Sequence, residues 1–362
     1  MKLWFLLFSL VPIAGFAYIF WHSWQILPFP SPVKWTVVAL MALCVVIFFC
    51  NFIFGLDSKP MNVSIALYEI GNSTLFIGLY VIMLFILLDI LCLIHIIPRS
   101  FLHDSWIGTL TVVGIIAAFF IYGYVHYNNK VRIPMEIRAQ HPLKKPVKLV
   151  MISDVHLGYH NRKAEFERWI DLINKETPNL ILVAGDIIDG SIRAVREQHL
   201  EEDFHKFKAP IYAIFGNHEY YTGREESIKF YHDAGIHLLL DSVANVGELT
   251  IIGRDDRTNP NRKSVAQLMK EAGPNHGFTI LLDHQPYHLE EAQKAGVDYQ
   301  FSGHTHYGQV WPISRIEDAI YEDAFGPLTK GATQYYVSSG IGIWGGKFRI
   351  GTRSEYIVAT IK

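Results

Sequence analysis

The stretch VKLVMISDVH, residues 147–156, decides the fold of the second half of this 362-residue chain. Its apolar part, Val147–Ser153, predicts a short strand, and Asp154 and His156 follow that strand directly as a D-x-H pair. Short apolar strands followed at once by polar residues recur four more times before residue 307. The sequence therefore predicts a site that is assembled at the ends of several strands.

From residue 147 onward, short apolar segments alternate with amphipathic helices. This alternation predicts an α/β domain, and nine strands favour two β-sheets packed face to face and sandwiched between helices. The predicted strands are Val147–Ser153, Leu180–Ala184, Ile211–Phe215, His237–Leu240, Leu249–Gly253, Thr279–Leu282, Tyr299–Ser302, Gln334–Ser338 and Tyr356–Ile361. The predicted helices are Ala164–Lys175, Arg224–Ala234 and Tyr287–Ala295.

The polar clusters that follow the strands contain the side chains of a metal site. After the D-x-H pair, these clusters are Gly185-Asp186-Ile187-Ile188-Asp189, Gly216-Asn217-His218-Glu219, Asp283-His284 and Gly303-His304-Thr305-His306. Loops at the carboxyl ends of strands converge on one edge of an α/β sheet, so the five clusters are expected to meet. Oxygen and nitrogen donors without a thiolate suit Mn²⁺, Fe or Zn²⁺ rather than a structural zinc ion. A lone histidine is more often a core or surface group, but five such clusters in this order predict a metal centre.

This series of motifs resembles the calcineurin-like metallophosphoesterases, whose pattern is D-x-H, G-D-x-x-D, G-N-H-[D/E], a lone H and G-H-x-H. The resemblance covers about Val147 to Lys362. It implies a metal-dependent hydrolase of phosphoric esters or pyrophosphates with two divalent metal ions. The resemblance places one metal on Asp154, His156, Asp186 and His306, and the second on Asp186, Asn217, His284 and His304, with Asp186 as the bridge.

The resemblance also implies roles for residues that do not bind metal. His218 would contact the phosphate and protonate the leaving group, and Glu219 beside it is a candidate orienting carboxylate. Asp189 would support a metal ligand. Arg254 and Arg349 lie in loops similar to those of the membrane-associated branch of the family. They either hold a substrate phosphate or are solvated loop arginines.

The first part of the chain is very different in composition. Up to Asn128 it contains only four Lys or Arg and four Asp or Glu residues. Four apolar runs of about 20 residues each predict four transmembrane helices, at residues 3–21, 35–55, 75–97 and 106–124. The first run is expected to be retained rather than cleaved as a signal peptide, because its small-x-small segment lies inside the apolar run. The predicted organisation is a transmembrane region over 1–124, a basic linker over 125–146 and a catalytic domain over 147–362.

The charge and cysteine content of the sequence indicate the environment in which the chain works. The basic cluster Lys130, Arg132, Arg138, Lys144, Lys145 and Lys148 follows the fourth run and predicts a cytoplasmic catalytic domain on a multi-pass inner-membrane protein. A net charge of −2 gives no indication of a nucleic-acid partner. All three cysteines lie in the apolar runs, so no disulfide framework is expected in the catalytic domain. Asp89, inside the third run, is expected to make a structural hydrogen bond rather than to serve ion passage.

Together these features predict a membrane-anchored two-metal phosphoesterase whose partners are the lipid bilayer and an amphiphilic phosphorylated substrate. The membrane-associated branch is similar to the UDP-2,3-diacylglucosamine hydrolases of lipid A biosynthesis, which makes that substrate the leading expectation. One alternative is a broad phosphodiesterase on soluble nucleotides or glycerophosphodiesters. Another is a membrane sensor or transport component with a vestigial metal site, although every metal ligand of the motif is present.

Overall fold

A computed structural model describes residues 2–139, 143–274 and 276–362, with side chains from Pro12 onward. The chain divides into two compact units at Tyr124 and Val125. The first unit is helical, and the second contains all the strands. This division agrees with the abrupt change in charge content along the sequence.

The first unit is built from four apolar helices. They are α1 (Lys2–Ile26), α2 (Ser31–Phe54), α3 (Met61–Leu93) and α4 (Trp106–Asn128), and a 3-10 turn, Arg99–Leu102, follows α3. Three of them, α2 to α4, are long and apolar enough to cross a membrane. The fourth crossing, by α1, stays a prediction. Helix α3 begins at Met61 rather than at residue 75. Its first half includes polar residues such as Asn72, whose side chain donates to Tyr68 O at 3.0 Å.

The hydrogen bond expected for Asp89 is present in the structure. Its Oδ2 accepts a 2.6 Å hydrogen bond from the Tyr18 hydroxyl and lies 3.0 Å from His22 Nε2. His22 lies one residue beyond the predicted first apolar run but within helix α1. Helices α1 and α3 are therefore joined by a polar contact inside the apolar unit, where an unpaired carboxylate would be costly.

The second unit contains two six-stranded mixed sheets. The strands are β1 (Lys130–Ile137), β2 (Val147–Ile152), β3 (Leu180–Val183), β4 (Ile211–Ala213), β5 (His237–Leu238), β6 (Ser242–Val246), β7 (Leu249–Gly253), β8 (Phe278–Leu282), β9 (Tyr299–Ser302), β10 (Gly326–Lys330), β11 (Thr333–Val337) and β12 (Ser354–Ile361). The helices are α5 (Lys163–Lys175), α6 (Ile192–Arg196), α7 (Leu200–Phe204), α8 (Asn217–Thr222), α9 (Arg224–Asp233), α10 (Val265–Ala272), α11 (Glu290–Ala295) and α12 (Ile313–Ile320).

The two sheets pack face to face with helices on their outer faces, as the strand count predicted. The first sheet has the order β1-β12-β2-β3-β4-β5 and the second has β10-β11-β9-β8-β7-β6. A core between the sheets joins Met151 and Leu182 to Ile251 and Ile280. Helix α5 covers the outer face of the first sheet through residues such as Trp169, at the helical spacing expected for a buried face. The parallel strands β2, β3 and β4 are adjacent, and so are β8 and β9.

The predicted linker over 125–146 is corrected by the structure. Residues Val125–Asn128 finish helix α4, and all eight residues of β1 pair in parallel with β12. The sequence did not predict β1 because it contains Pro134, which is tolerated only at the edge of a sheet, and β1 is an edge strand. Pro142, also assigned to the linker, lies outside the described residues. The last membrane helix thus leads into the catalytic sheet after one residue, Asn129.

Candidate metal centre

Five loops at the carboxyl ends of strands form the candidate site. Strands β2, β3 and β4 of the first sheet lead into Asp154, Asp186 and Asn217, while β8 and β9 of the second lead into His284 and His304. Because these strands run parallel within each sheet, their loops lie at the same edge. The structure brings Asp154, His156 and His306 together in one group of donor atoms and Asp186, His284 and His304 in another.

Backbone conformation at the site is unusual. Five of the predicted ligands have left-handed φ values between 48° and 74°: Asp154, His156, Asp186, His304 and His306. Asp and His enter this region more readily than most residues, but each still costs free energy there. The surrounding sheets hold these residues in place. Such concentrated strain is typical of a functional site rather than of ordinary strand ends.

One group of donor atoms comes from both sheets. Asp154, His156 and His306 each direct one ligand atom to the same place, with all three atoms within 4.8 Å of one another. The Nε2 atoms of His156 and His306 are 3.0 Å apart, and Asp154 Oδ1 lies 3.5 Å from His306 Nε2. Atoms that bind one cation at about 2.0–2.2 Å must lie within about 4.4 Å of each other. These separations fit a metal ion.

A second group of donor atoms lies beside the first. Asp186, His284 and His304 form this group, and Asp186 Oδ2 is 3.1 Å from His284 Nε2. The same Oδ2 is 3.7 Å from His156 Nε2, which belongs to the first group. Asn217 Oδ1 is buried without a hydrogen-bond partner among the described residues. The donor types and the unpartnered amide oxygen fit two cations with Asp186 between them.

Two glycines make room for this arrangement. A Cβ at Gly216 would overlap Asp186 Oδ1 and lie 2.7 Å from His284 Nε2. A Cβ at Gly303 would overlap Asp154 Oδ2. Both motif glycines are therefore required because ligand side chains pack directly against their backbone.

His218 is oriented by Asp189 rather than by its neighbour in sequence. His218 Nδ1 lies 2.8 Å from Asp189 Oδ1, and the same oxygen is 3.5 Å from His156 Nδ1. Burial disfavours the imidazolium, but the Asp186 carboxylate and the hydrogen bond to Asp189 outweigh it and raise the pKa of His218 to about 9. The Nδ1 side of the His218 ring thus faces Asp189. His218 also joins His156 and Asp189 in a third group of closely spaced donor atoms.

The prediction that Glu219 orients His218 is wrong. The fully buried Glu219 carboxylate accepts backbone N–H bonds from Asp186, Ile187, Ile188 and Gly216 at 2.7–3.1 Å. These donors belong to the two loops that carry Asp186 and Asn217. Glu219 therefore fixes the backbone of the bridging carboxylate, a role that sequence proximity to His218 concealed.

Both predicted substrate arginines bond within the protein. Arg349 is fully buried, and its guanidinium donates to the carbonyl oxygens of His306, Ser339 and Gly342. Arg254 is buried and bonds to Asp283 Oδ2 at 3.0 Å. The alternative of a solvated loop residue is therefore wrong for both, whereas phosphate binding by either arginine stays a prediction. Each guanidinium links loops of the catalytic unit through its hydrogen bonds. Asp283 forms an ion pair with Arg254 and is not among the donor atoms of the candidate metal centre.

The sequence did not predict the aromatic residues Tyr287 and Tyr321, which lie beside the second donor group. The ring of Tyr321 is 6.3 Å from that of His304 and 4.7 Å from that of Tyr287, centroid to centroid. The exposed Arg257 guanidinium lies 4.0 Å above the Tyr287 ring. No motif marks these residues, because they come from three separate loops. They extend the site from buried donor atoms to a surface that can contact a larger substrate.

Comparison with known proteins identifies the domain. Residues 147–308 match the family model for calcineurin-like phosphoesterases, and the chain carries a calcineurin-like metallophosphoesterase domain. This family consists of metal-dependent phosphoester hydrolases that use a binuclear divalent metal centre. The resemblance inferred from the motifs is confirmed, and so is the prediction of an enzyme.

Individual relatives place this domain beside a membrane region. The chain is 28% identical to an uncharacterized metallophosphoesterase of Campylobacter jejuni, over 68% of each chain. It is 27% identical to a transmembrane protein with a metallophosphoesterase domain from Danio rerio, over 91% of this chain and 80% of that one. A crystal structure of a 5'-nucleotidase precursor from Thermus thermophilus matches 60% of this chain and 55% of that chain, with 16% identity and a TM-score of 0.39. The chain is thus a metallophosphoesterase with a membrane region.

Proposed function

We propose that this chain hydrolyses a phosphodiester or pyrophosphate bond in an amphiphilic substrate at the bilayer surface. The observation that carries the proposal is the junction of the last membrane helix with the catalytic unit. Helix α4 ends at Asn128 and strand β1 begins at Lys130. A catalytic domain joined to a membrane helix through one residue stays next to the lipid.

The last turn of α4 is also bonded to the loop that carries the first two ligands. Tyr127 is fully buried in the catalytic unit, and its hydroxyl donates a 2.7 Å hydrogen bond to Asn161 Oδ1. Asn161 Nδ2 in turn donates to Val155 O at 3.1 Å, and Val155 separates Asp154 from His156. These buried contacts hold the ligand loop to the end of the helix. Substrates concentrated in the membrane therefore have an advantage over dilute soluble ones.

The proposed ligand assignment follows the two donor groups. Asp154, His156, Asp186 and His306 would hold one metal, and Asp186, Asn217, His284 and His304 the other. Bound metals lower the pKa of a coordinated water and stabilise charge on the phosphoryl oxygens. Asp186 Oδ2 lies close to a histidine of each group, His156 and His284. Glu219 accepts the backbone N–H of Asp186 and so holds the backbone of this residue in place.

His218 supplies the proton in this proposal. His218 Nδ1 faces the Asp189 carboxylate at 2.8 Å. The N–H group at Nε2 would then donate its proton to the leaving oxygen of the substrate. Asp189 stays ionised, because its hydrogen bonds with His156 and His218 outweigh burial and hold its pKa well below the usual range. The pair therefore acts as a positioned acid, with Asp189 in the positioning role.

Within this class, UDP-2,3-diacylglucosamine is the specific substrate we propose, and lipid A biosynthesis is the corresponding process. The rival is a soluble nucleotide or glycerophosphodiester. The test is a metal-reconstituted activity screen of the full-length chain in nanodiscs, with lipid-linked pyrophosphates set against soluble phosphodiesters. We expect kcat/KM to be at least about tenfold higher for the lipid-linked class. Equal or higher values for soluble phosphodiesters would reject the proposal.

Orientation completes the proposal, with the catalytic unit on the cytoplasmic side of the inner membrane. Arg138, Lys144 and Lys145 are exposed and available to anionic headgroups. The other basic residues of the cluster bond within the catalytic unit, since Arg132 and Lys148 both pair with Glu176. Reporter fusions at the C-terminus test this orientation. A fusion that is active only outside the cytoplasm would contradict it and would exclude a nucleotide-linked lipid precursor.

A further inference from the structure

A cavity lined by both polar and apolar side chains lies in the helical unit, and no residue of the candidate metal centre lines it. Its volume is about 480 Å³. It is lined by residues of α1, the end of α3 and the turn that follows α3, among them His22, Asp89, Arg99 and His103. We refer to it as the membrane-unit pocket.

Asp89 presents an unused carboxylate oxygen to this pocket. Its Oδ2 accepts both hydrogen bonds, from Tyr18 and His22, whereas Oδ1 has no partner among the described residues. The Asp89 side chain is 43% exposed, so it borders open space rather than packed side chains. His22 is 2% exposed, and its Nδ1 is buried without a hydrogen-bond partner in the part of the chain that the structure describes. Asp89 Oδ1 can therefore accept a hydrogen bond from a ligand, and His22 Nδ1 is a buried polar atom without a partner.

Arg99 supplies the opposite charge. Its side chain lines the same pocket and makes no hydrogen bond or ion pair with any described residue, Asp89 included. His103 and Gln25, which also line the pocket, are hydrogen-bonded to each other, with His103 Nδ1 2.9 Å from Gln25 Oε1. The pocket therefore offers one guanidinium and one carboxylate oxygen that the protein does not pair with each other.

The pocket lies at one end of the helices of the first unit. The end of α1 is bonded to the start of α4, since Ser105 N donates to Ile26 O at 3.0 Å. Helix α4 is 23 residues long, about 34 Å, so the pocket is a full helix length from Asn128. Its apolar border includes Trp21 and Leu93, which are 54% and 70% exposed. A tryptophan at this level is typical of the membrane–water interface.

We infer that the membrane-unit pocket binds a ligand that carries both a primary ammonium and a phosphate. The ammonium donates to Asp89 Oδ1, and the phosphate accepts from the Arg99 guanidinium, which matches an oxyanion with two N–H groups. Acyl chains lie along Trp21 and Leu93. The ligand chemistry is phosphoethanolamine, either as the headgroup of phosphatidylethanolamine in the bilayer or as the free compound. This site is independent of the metal centre and of the proposed hydrolysis.

The test is a titration of the full-length chain in detergent micelles with dihexanoyl-phosphatidylethanolamine, followed by isothermal calorimetry. Dihexanoyl-phosphatidylcholine is the matched lipid, because its quaternary ammonium has the same charge but no N–H to donate. Arg99→Gln removes the cation without disturbing any described contact, and Lys59→Gln removes a cation of the same unit outside the pocket. We expect the ethanolamine lipid to bind at least about tenfold more tightly than the choline lipid, and Arg99→Gln to lose at least about tenfold in affinity. Lys59→Gln should bind as the unaltered chain does.

Two further measurements identify the source of the ligand and the role of Asp89. Free phosphoethanolamine separates the sources: much weaker binding than the lipid assigns the pocket to the bilayer, and equal binding assigns it to the soluble compound. Asp89→Asn should abolish the preference for ethanolamine over choline, and thermal unfolding of this variant shows whether its contacts with Tyr18 and His22 survive. Equal affinity for the two lipids, or full affinity in Arg99→Gln, would overturn the inference.

Discussion

Replacing Glu219 by glutamine tests the role that the structure gives to this carboxylate. Oε1 accepts the N–H groups of Ile187 and Ile188, and Oε2 accepts those of Asp186 and Gly216. Glutamine keeps the shape but converts one oxygen into an NH₂ group, in either orientation of the amide. Two backbone N–H groups then face a donor instead of an acceptor, in a site from which water is excluded.

The magnitude follows from these two lost bonds. A buried N–H group left without an acceptor costs about 1–3 kcal/mol, so the substitution costs roughly 2–6 kcal/mol. For a unit of 150–250 residues, each kcal/mol shifts Tm by about 2–4 °C, which predicts a fall of roughly 4–24 °C. The loop that carries Asp186 loses its backbone support, so metal content should fall together with stability.

The assay is thermal unfolding of the metal-free chain, combined with elemental analysis after metal reconstitution. Glu225→Gln is the matched control, because Glu225 is exposed on α9 and its substitution should leave Tm within about 2 °C. A Glu219→Gln variant with unchanged Tm and two bound metals, but without turnover, would refute the structural role. That result would restore Glu219 as the carboxylate that orients His218.

Four further substitutions separate metal binding from proton transfer. His218→Ala should keep both metals and lose about 10²–10⁴-fold in turnover, and loss of metal instead would make His218 a ligand. Asp186→Ala should remove both metals, whereas His306→Ala should chiefly weaken one; two tightly held metals in Asp186→Ala would reject the bridge. Gly216→Ala should abolish metal binding because the new Cβ overlaps the Asp186 carboxylate, and elemental analysis that finds two metals would show that the loop can adjust.

The placement of the candidate donor residues at the ends of strands was predictable because this information is local in the sequence. Each ligand directly follows a strand, so recognising the strand also places the ligand at the sheet edge, as with Asp154 after β2 and His304 after β9. The division into an apolar and a catalytic region was equally predictable, since charge content changes abruptly near residue 128. The edge strand β1 was missed because Pro134 and half-exposed side chains give it no buried-strand pattern.

The roles of Glu219, Arg254 and Arg349 could not be read from the sequence. Their partners are backbone groups and carboxylates far away in the chain, such as the carbonyl of His306, which lies 43 residues from Arg349. A charged residue next to a motif is equally consistent with substrate contact and with loop support. Only the folded arrangement shows that these side chains are buried and fully engaged.

The central claim, hydrolysis at the membrane surface by this metal centre, is tested most directly with a matched pair of substrates. UDP-2,3-diacylglucosamine and the same nucleotide sugar without acyl chains contain an identical pyrophosphate. Both should be offered to the full-length chain in nanodiscs, with His218→Ala as the inactive control. We predict that kcat/KM is at least about tenfold higher for the acylated compound and that His218→Ala slows hydrolysis of both by about 10²–10⁴-fold. Equal kcat/KM for the two compounds, or undiminished hydrolysis by His218→Ala, would contradict the claim.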